Sequence, residues 1–255
     1  MEKYYTFKFM YKTMPDWKRK KDPILTRWFY RPLSFYFSAR CANLGISANQ
    51  VSFVSAFVAI LSCVSFLFGN YYLNILGALG VNLWLLMDCV DGNIARSVKK
   101  EAFGPFADSM SSYILVGLLC SSIGFSAYFD GGILFDQGNV WIILIGVLAS
   151  ASDSLMRLIY QKYKNVEKEL QEAGVLKAEI DERQDIRQSS NWKIKIDENF
   201  GIGGILPLLV LLGAIFHALD LVAIYCLCFF GPVAIVSICL YVRKAICAAN
   251  KFPLG

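Results

Sequence analysis

The sequence predicts an all-α integral membrane protein with six transmembrane helices and an N-terminal interfacial amphipathic helix. Three observations carry this. Of the 255 residues, 56% are hydrophobic and the mean hydropathy is +0.48. Six apolar runs, at about 50–69, 74–95, 105–129, 139–161, 201–218 and 221–242, approach or exceed the ~18 residues needed to cross a bilayer. Finally, the 25 basic residues cluster, with ten in 1–40, three in 96–100, nine in 157–195 and three in 243–251, whereas 70–73, 130–138 and 217–220 contain none. Positive charge gathers in cytoplasmic loops, so both termini and the two charged loops are expected on the cytoplasmic side.

Two parts are expected. Residues 1–45 form a cytoplasmic N-terminal segment, and 46–255 form the membrane domain with a cytoplasmic insert at 162–199. Within the first part, 24–44 combines Trp28, Phe29, Tyr30, Phe35 and Tyr36 with Arg27, Arg31 and Arg40, the composition of a helix lying along a leaflet. The run Lys18-Arg19-Lys20-Lys21 would add attraction to anionic lipid. A cleavable signal is not expected, because forty polar, aromatic and basic residues precede the first run. The insert is rich in Glu, Lys, Gln and Ala, which favour helix, and reads either as a hairpin or lid or as a solvated spacer.

The net charge of +5 follows this topology and not nucleic-acid binding, since no basic patch is interleaved with base-stacking aromatics. Cys63, Cys120, Cys226, Cys228 and Cys239 sit in apolar runs and read as small buried hydrophobes. Cys89 lies between hard oxygen ligands and is not expected to bind metal. His217, the one histidine, falls near the opposite membrane face and away from any cytoplasmic site.

The second and third runs are unusual. Asp88 and Asp91 share a helical face with Ala95, and Gly104, Asp108 and Ser112 repeat the arrangement at i, i+4, i+8 on the next helix. A charged group at bilayer depth is costly, so such carboxylates face a bundle interior or a wet cavity and mark a site. The short turn 96–103 makes the two helices antiparallel neighbours and sets Asp88 and Asp91 against Asp108. Three carboxylates in low dielectric repel one another until a cation neutralises them. All-oxygen ligands favour Mg²⁺, Mn²⁺ or Ca²⁺, of which Mg²⁺ or Mn²⁺ is expected. Gly92 and Ala95 keep the face shallow, which suits either a planar ligand group or a closely packed helix.

These residues resemble the signature of the CDP-alcohol phosphotransferase family, D-x-x-D-G-x-x-A-R followed by G-x-x-x-D-x-x-x-D. Here it reads Asp88, Asp91, Gly92, Ala95, Arg96, Gly104 and Asp108 within residues 88–112. The six-run architecture and the Gly45-Ile-Ser-Ala-Asn49-Gln-Val-Ser52 lead-in to the first run are similar too. The resemblance implies an enzyme that transfers a substituted phosphate from a CDP-alcohol to an acceptor hydroxyl and releases CMP, in phospholipid or glycolipid biosynthesis. By motif position Asp88, Asp91 and Asp108 would hold one or two divalent metals. Asp91, Gly92, Ala95, Arg96 and Gly104 would surround the nucleotide. Arg96 as a snorkelling cytoplasmic arginine is the alternative. The donor would be CDP-diacylglycerol or a soluble CDP-alcohol, the acceptor an alcohol or lipid, and the chain a homodimer among membrane lipids.

One position departs from the signature: Ser112 stands where the family has its fourth aspartate, the general base for the acceptor. A serine hydroxyl is a poor base and a weak ligand, and no Asp or Glu occurs in 109–129. Either the chemistry survives with another base or an already ionised acceptor, or the protein binds its nucleotide and transfers slowly, or the carboxylates serve ion or solute transport. Asp153 and Arg157, four apart on the fourth run, read as a charge-neutralising pair. They also read as functional: Asp153 as a substitute catalytic base, and Arg157 as a fork for an acceptor phosphate.

Overall fold

A computed structural model describes residues 4–174 and 198–251, and the described residues are helical with short connections and no strand. Short helices α1 (Phe7–Thr13) and α2 (Asp16–Lys21) lead through a π-helical turn, Thr26–Tyr30, into α3 (Arg31–Asn43). The bundle follows as α4 (Ala48–Phe66), α5 (Tyr71–Ser97), α6 (Gly104–Asp130), α7 (Val140–Glu172), α8 (Leu206–Ile215) and α9 (Leu219–Lys251). Helix α4 packs on both α5 and α6, α7 packs on α6 and α9, and α3 and α8 lie against α5.

Local chemistry sets the starts. Ser47 and Gln50 form a reciprocal capping box at α4, with Ser47 N–H donating to Gln50 Oε1 at 2.9 Å. Asn70 and Asn139 cap α5 and α7 through their side-chain oxygens. Phe103 precedes α6 in the left-handed region (φ 58°), with Pro105 in the first turn.

Among the described residues five helices, α4, α5, α6, α7 and α9, are long and apolar enough to cross a membrane. The expected run at 201–218 differs. Its helix, α8, has ten residues and a length of about 15 Å, half the hydrocarbon thickness. Gly201, Gly203 and Gly204 account for the loss: residues 201–205 are turns, closed by Gly204 N–H to Gly201 O and Ile205 N–H to Asn199 O. Helix α7, by contrast, continues past its apolar part to Glu172, so the start of the expected insert is a direct extension of a span. Residues 175–197 of that insert lie outside the described residues.

The N-terminal segment is helical where an interfacial helix was expected, but its faces are distributed differently. Trp28, Phe29, Leu33, Tyr36 and Phe37 are exposed, while Tyr30, Arg31, Ser34, Phe35, Ser38 and Ala39 are buried. An arginine and two serines therefore face the bundle. Cys63, Cys120 and Cys226 are buried as expected, whereas Cys228 and Cys239 are exposed on α9.

Small residues bring the helices together. A Cβ on Gly146 would stand 2.4 Å from Cys120 O and 3.1 Å from Gly124 Cα, so α6 and α7 meet backbone to backbone. Gly146→Val should therefore push this pair apart and destabilise the bundle by about 3 kcal/mol, as overpacking of a filled core does. Thermal unfolding in detergent should show a clearly lowered midpoint; an unchanged midpoint would mean that the contact is dispensable.

Candidate active site

Asp88 and Asp91 lie near the end of α5, and Asp108 lies in the first turns of α6. One carboxylate oxygen from each falls within 4.8 Å of the others, a spread that a single six-coordinate divalent ion spans with small side-chain rotations. Asp91 is buried, Asp88 half-buried and Asp108 exposed, so the cluster opens to one side. Ser52 of α4 donates to Asp91 Oδ2 at 2.6 Å and orients it.

A cavity of about 300 Å³ opens on this cluster. Gly92, Ala95, Arg96 and Gly104 line it together with the three aspartates, so the structure gathers the seven motif positions into one wall. An ideal Cβ on Gly92 would meet only the flexible guanidinium of Arg96, at 2.9 Å, and one on Gly104 has nothing nearer than Asn49 Oδ1 at 3.5 Å. Their hydrogen side chains leave room on the cavity wall and not in a helix interface.

Eight residues beyond the seven motif positions also line this cavity, among them Lys18, Arg31, Asn49, Ser52, Lys100 and Glu101. Arg31 is buried and donates to Asp22 twice, Nε to Oδ2 at 2.7 Å and Nη2 to Oδ1 at 2.9 Å. Its Nη1 reaches Asn93 Oδ1 at 3.1 Å and Cys89 O at 3.4 Å on α5. Asn93 Oδ1 also accepts from Arg96, and its amide donates to Ser34 and Ser38. Lys18 Nζ stands 3.1 Å from Asp22 Oδ1. Burial alone would push the Asp22 carboxyl up, but the Arg31 and Lys18 cations outweigh it and hold the group below its ordinary value. The side-chain oxygen of Asn49, a residue of the cavity wall, is buried with no hydrogen-bond partner among the described residues. Asn49 and Ser52 stand in the Gly45–Ser52 lead-in to the first run, which gave them no individual role, and Lys18 and Arg31 carried basic charge that suited a membrane surface equally well.

The structure does not bring Ser112, Asp153 or Arg157 to this cavity. Ser112 is half-buried one turn beyond Asp108 and is not on the cavity wall. Its neighbour Ser111 is committed elsewhere, 2.6 Å from Ser55 Oγ and accepting from Trp84 Nε1. Asp153 is 2% exposed and accepts from Arg157 at 3.0 and 3.4 Å, which is the charge-neutralising pair expected. Both line a second cavity of about 260 Å³ with Lys18, Lys21, Glu198 and Gly203. His217 lies apart, 3.2 Å from Asp130 and stacked on Tyr71.

A comparison with curated proteins gives no match. Residues 45–229 match the family described as CDP-alcohol phosphatidyltransferase, a span that covers the carboxylate cluster, the small residues beside it and most of the bundle. On that match, over most of its length, the chain belongs to the CDP-alcohol phosphatidyltransferase family, phosphotransferases that move a phosphate group from a CDP-alcohol.

Proposed function

We propose that the protein is a divalent-metal-dependent membrane transferase that moves a substituted phosphate from a CDP-alcohol to an acceptor hydroxyl with release of CMP. The observation that carries this reading is the convergence of Asp88, Asp91 and Asp108 on one cavity with Gly92, Ala95, Arg96 and Gly104. The donor set is all oxygen and anionic, which fits Mg²⁺ or Mn²⁺. Held by those three carboxylates, the ion would offset pyrophosphate charge and stabilise the leaving phosphate.

The chain's own residues do the rest. Gly92 and Ala95 form the shallow wall against which the nucleotide lies, and Arg96 answers its phosphate charge. Arg157, in the second cavity, receives an anionic group of the acceptor. Asp153 is engaged by Arg157, and its role in this reading is to aim that guanidinium. The outward Trp28, Phe29, Tyr36 and Phe37 rest at the membrane interface on the cytoplasmic side, and α8 with its preceding turns makes the fifth of six crossings.

The test is CMP release by the purified protein in lipid with Mg²⁺ or Mn²⁺, offering CDP-diacylglycerol and several soluble CDP-alcohols, each with membrane extract as acceptor. Metal-dependent release with one donor supports the reading and assigns the donor class. Binding of every donor without release would instead favour a nucleotide-binding protein of low activity, a reading that Ser112 keeps in play because the position holds no carboxylate. Ser112→Asp separates the two. A gain of tenfold or more in release marks a weakened enzyme, and a comparable loss marks a site adapted to serine.

A further inference from the structure

The two polar cavities are joined by one side chain. Lys18 lines the carboxylate cavity beside Asp88 and Asp108, and it lines the second cavity beside Lys21, Asp153 and Arg157. No other residue is common to the two linings.

We propose that Lys18 binds the phosphate group in transfer, at the junction between the donor and acceptor cavities. This rests on the transferase reading above and names a residue that reading does not need. In that reaction the acceptor oxygen forms a bond to the phosphorus that carries the alcohol, and its proton leaves to solvent water. The bond from that phosphorus to the bridging oxygen breaks, and its electron pair departs on the phosphate of CMP. Entering and leaving oxygens stand roughly in line on opposite sides of phosphorus. The phosphorus therefore lies between the space that holds the nucleotide and the space that holds the acceptor, which is where Lys18 stands.

The chemistry of the side chain suits that place. An ammonium is a compact charge with three rotatable donors, able to follow phosphate oxygens as they move through the transition state. Arg31, the other N-terminal cation on the carboxylate cavity, has its planar fork spent on Asp22 and Asn93, and Arg96 and Lys100 line that cavity without reaching the second one. Lys18 is anchored without being consumed. Among the described residues it pairs with Asp22 Oδ1 at 3.1 Å, where the Lys18 side chain is 28% exposed and that of Asp22 is 1% exposed. Asp22 is clamped by Arg31, and Arg31 is fastened to α5, the helix that carries Asp88 and Asp91. A continuous chain of bonds thus registers the ammonium against the carboxylates. Lys18 also lies outside residues 45–229, so the N-terminal segment contributes a catalytic residue to a site whose carboxylates and small residues come from the matched region.

The experiment compares two nucleotides that differ by the phosphate in question. Titrations of CMP and of CDP with Mn²⁺ into the wild type, Lys18→Met and Lys18→Arg in lipid nanodiscs would be read beside CMP release. Lys18→Met should weaken CDP about tenfold, as loss of a charge-assisted contact does, and leave CMP within about twofold. It should lower kcat for release by about 100-fold, and Lys18→Arg should recover part of both effects. Equal weakening of CMP and CDP would show that Lys18 only holds the N-terminal segment in place, and no change in either would remove it from the site; both outcomes overturn the proposal while leaving the transferase reading intact. A wild type that neither binds CDP nor releases CMP would defeat the transferase reading and this inference with it.

Discussion

Asp91→Asn should reduce CMP release by about 10³-fold while leaving the protein folded. Asp91 is the buried member of the carboxylate cluster, 5% exposed, and Ser52 fixes one of its oxygens at 2.6 Å. Asparagine keeps the size and an acceptor for that hydroxyl, so the change isolates the charge. The three carboxylates repel one another in the absence of a cation, and removing one charge relieves that repulsion. Without metal the variant should therefore unfold at or above the wild-type temperature. Added Mn²⁺ should raise the wild-type midpoint, because a ligand that binds the native state stabilises it, and should leave the variant's midpoint unmoved. A wild type and a variant that respond equally to Mn²⁺ would take Asp91 out of the metal site.

Much of that cluster was legible before any coordinates. The i, i+3 spacing of Asp88 and Asp91, and Asp108 four residues past Gly104, were enough to place three carboxylates on facing surfaces of two runs too apolar to tolerate them singly. The geometry adds that α4 packs on both of these helices and delivers Ser52 to Asp91. Polar residues at the foot of an apolar run have many uses, so the Gly45–Ser52 lead-in did not by itself assign Ser52 to Asp91. The N-terminal segment was harder for a different reason. Aromatics interspersed with arginines describe an interfacial helix whichever way the helix is turned. The π-helical turn at Thr26–Tyr30 inserts extra chain before α3 and shifts the helical register there. Arg31, Ser34 and Ser38 then face α5, and Trp28, Phe29, Tyr36 and Phe37 face outward while Tyr30 and Phe35 are buried. Register set by a local insertion leaves no mark on composition. The fifth run, at 201–218, is shortened by a more visible feature, since its three glycines within 201–204 release the backbone into turns, although in a membrane such glycines often pack within helices instead.

Asp22→Asn should uncouple that N-terminal segment from the site and lower CMP release at least tenfold. Asp22 is 3% exposed and is the one carboxylate shared by Arg31 and Lys18. The neutral amide leaves a buried guanidinium facing an ammonium with no anion between them. Removing one partner of a buried pair typically costs about 3–5 kcal/mol, far more than the pair itself contributes over a neutral replacement. That cost falls on docking of α2 and α3 and not on the helices of the bundle, which pack through other residues. Amide hydrogen exchange across residues 7–43 should therefore rise in the variant while α5 and α6 stay protected. The pH dependence has a definite sign. Asp22 is held below its ordinary value in the folded protein, so its contribution to docking is complete above the ordinary carboxylate range and is lost as pH falls through the depressed value. Wild type and variant should differ most near neutral pH and converge below about pH 4. A difference that persisted unchanged into acid would mean that the Asp22 charge does not hold the segment, and Lys18 would then need another anchor to keep its place between the two cavities.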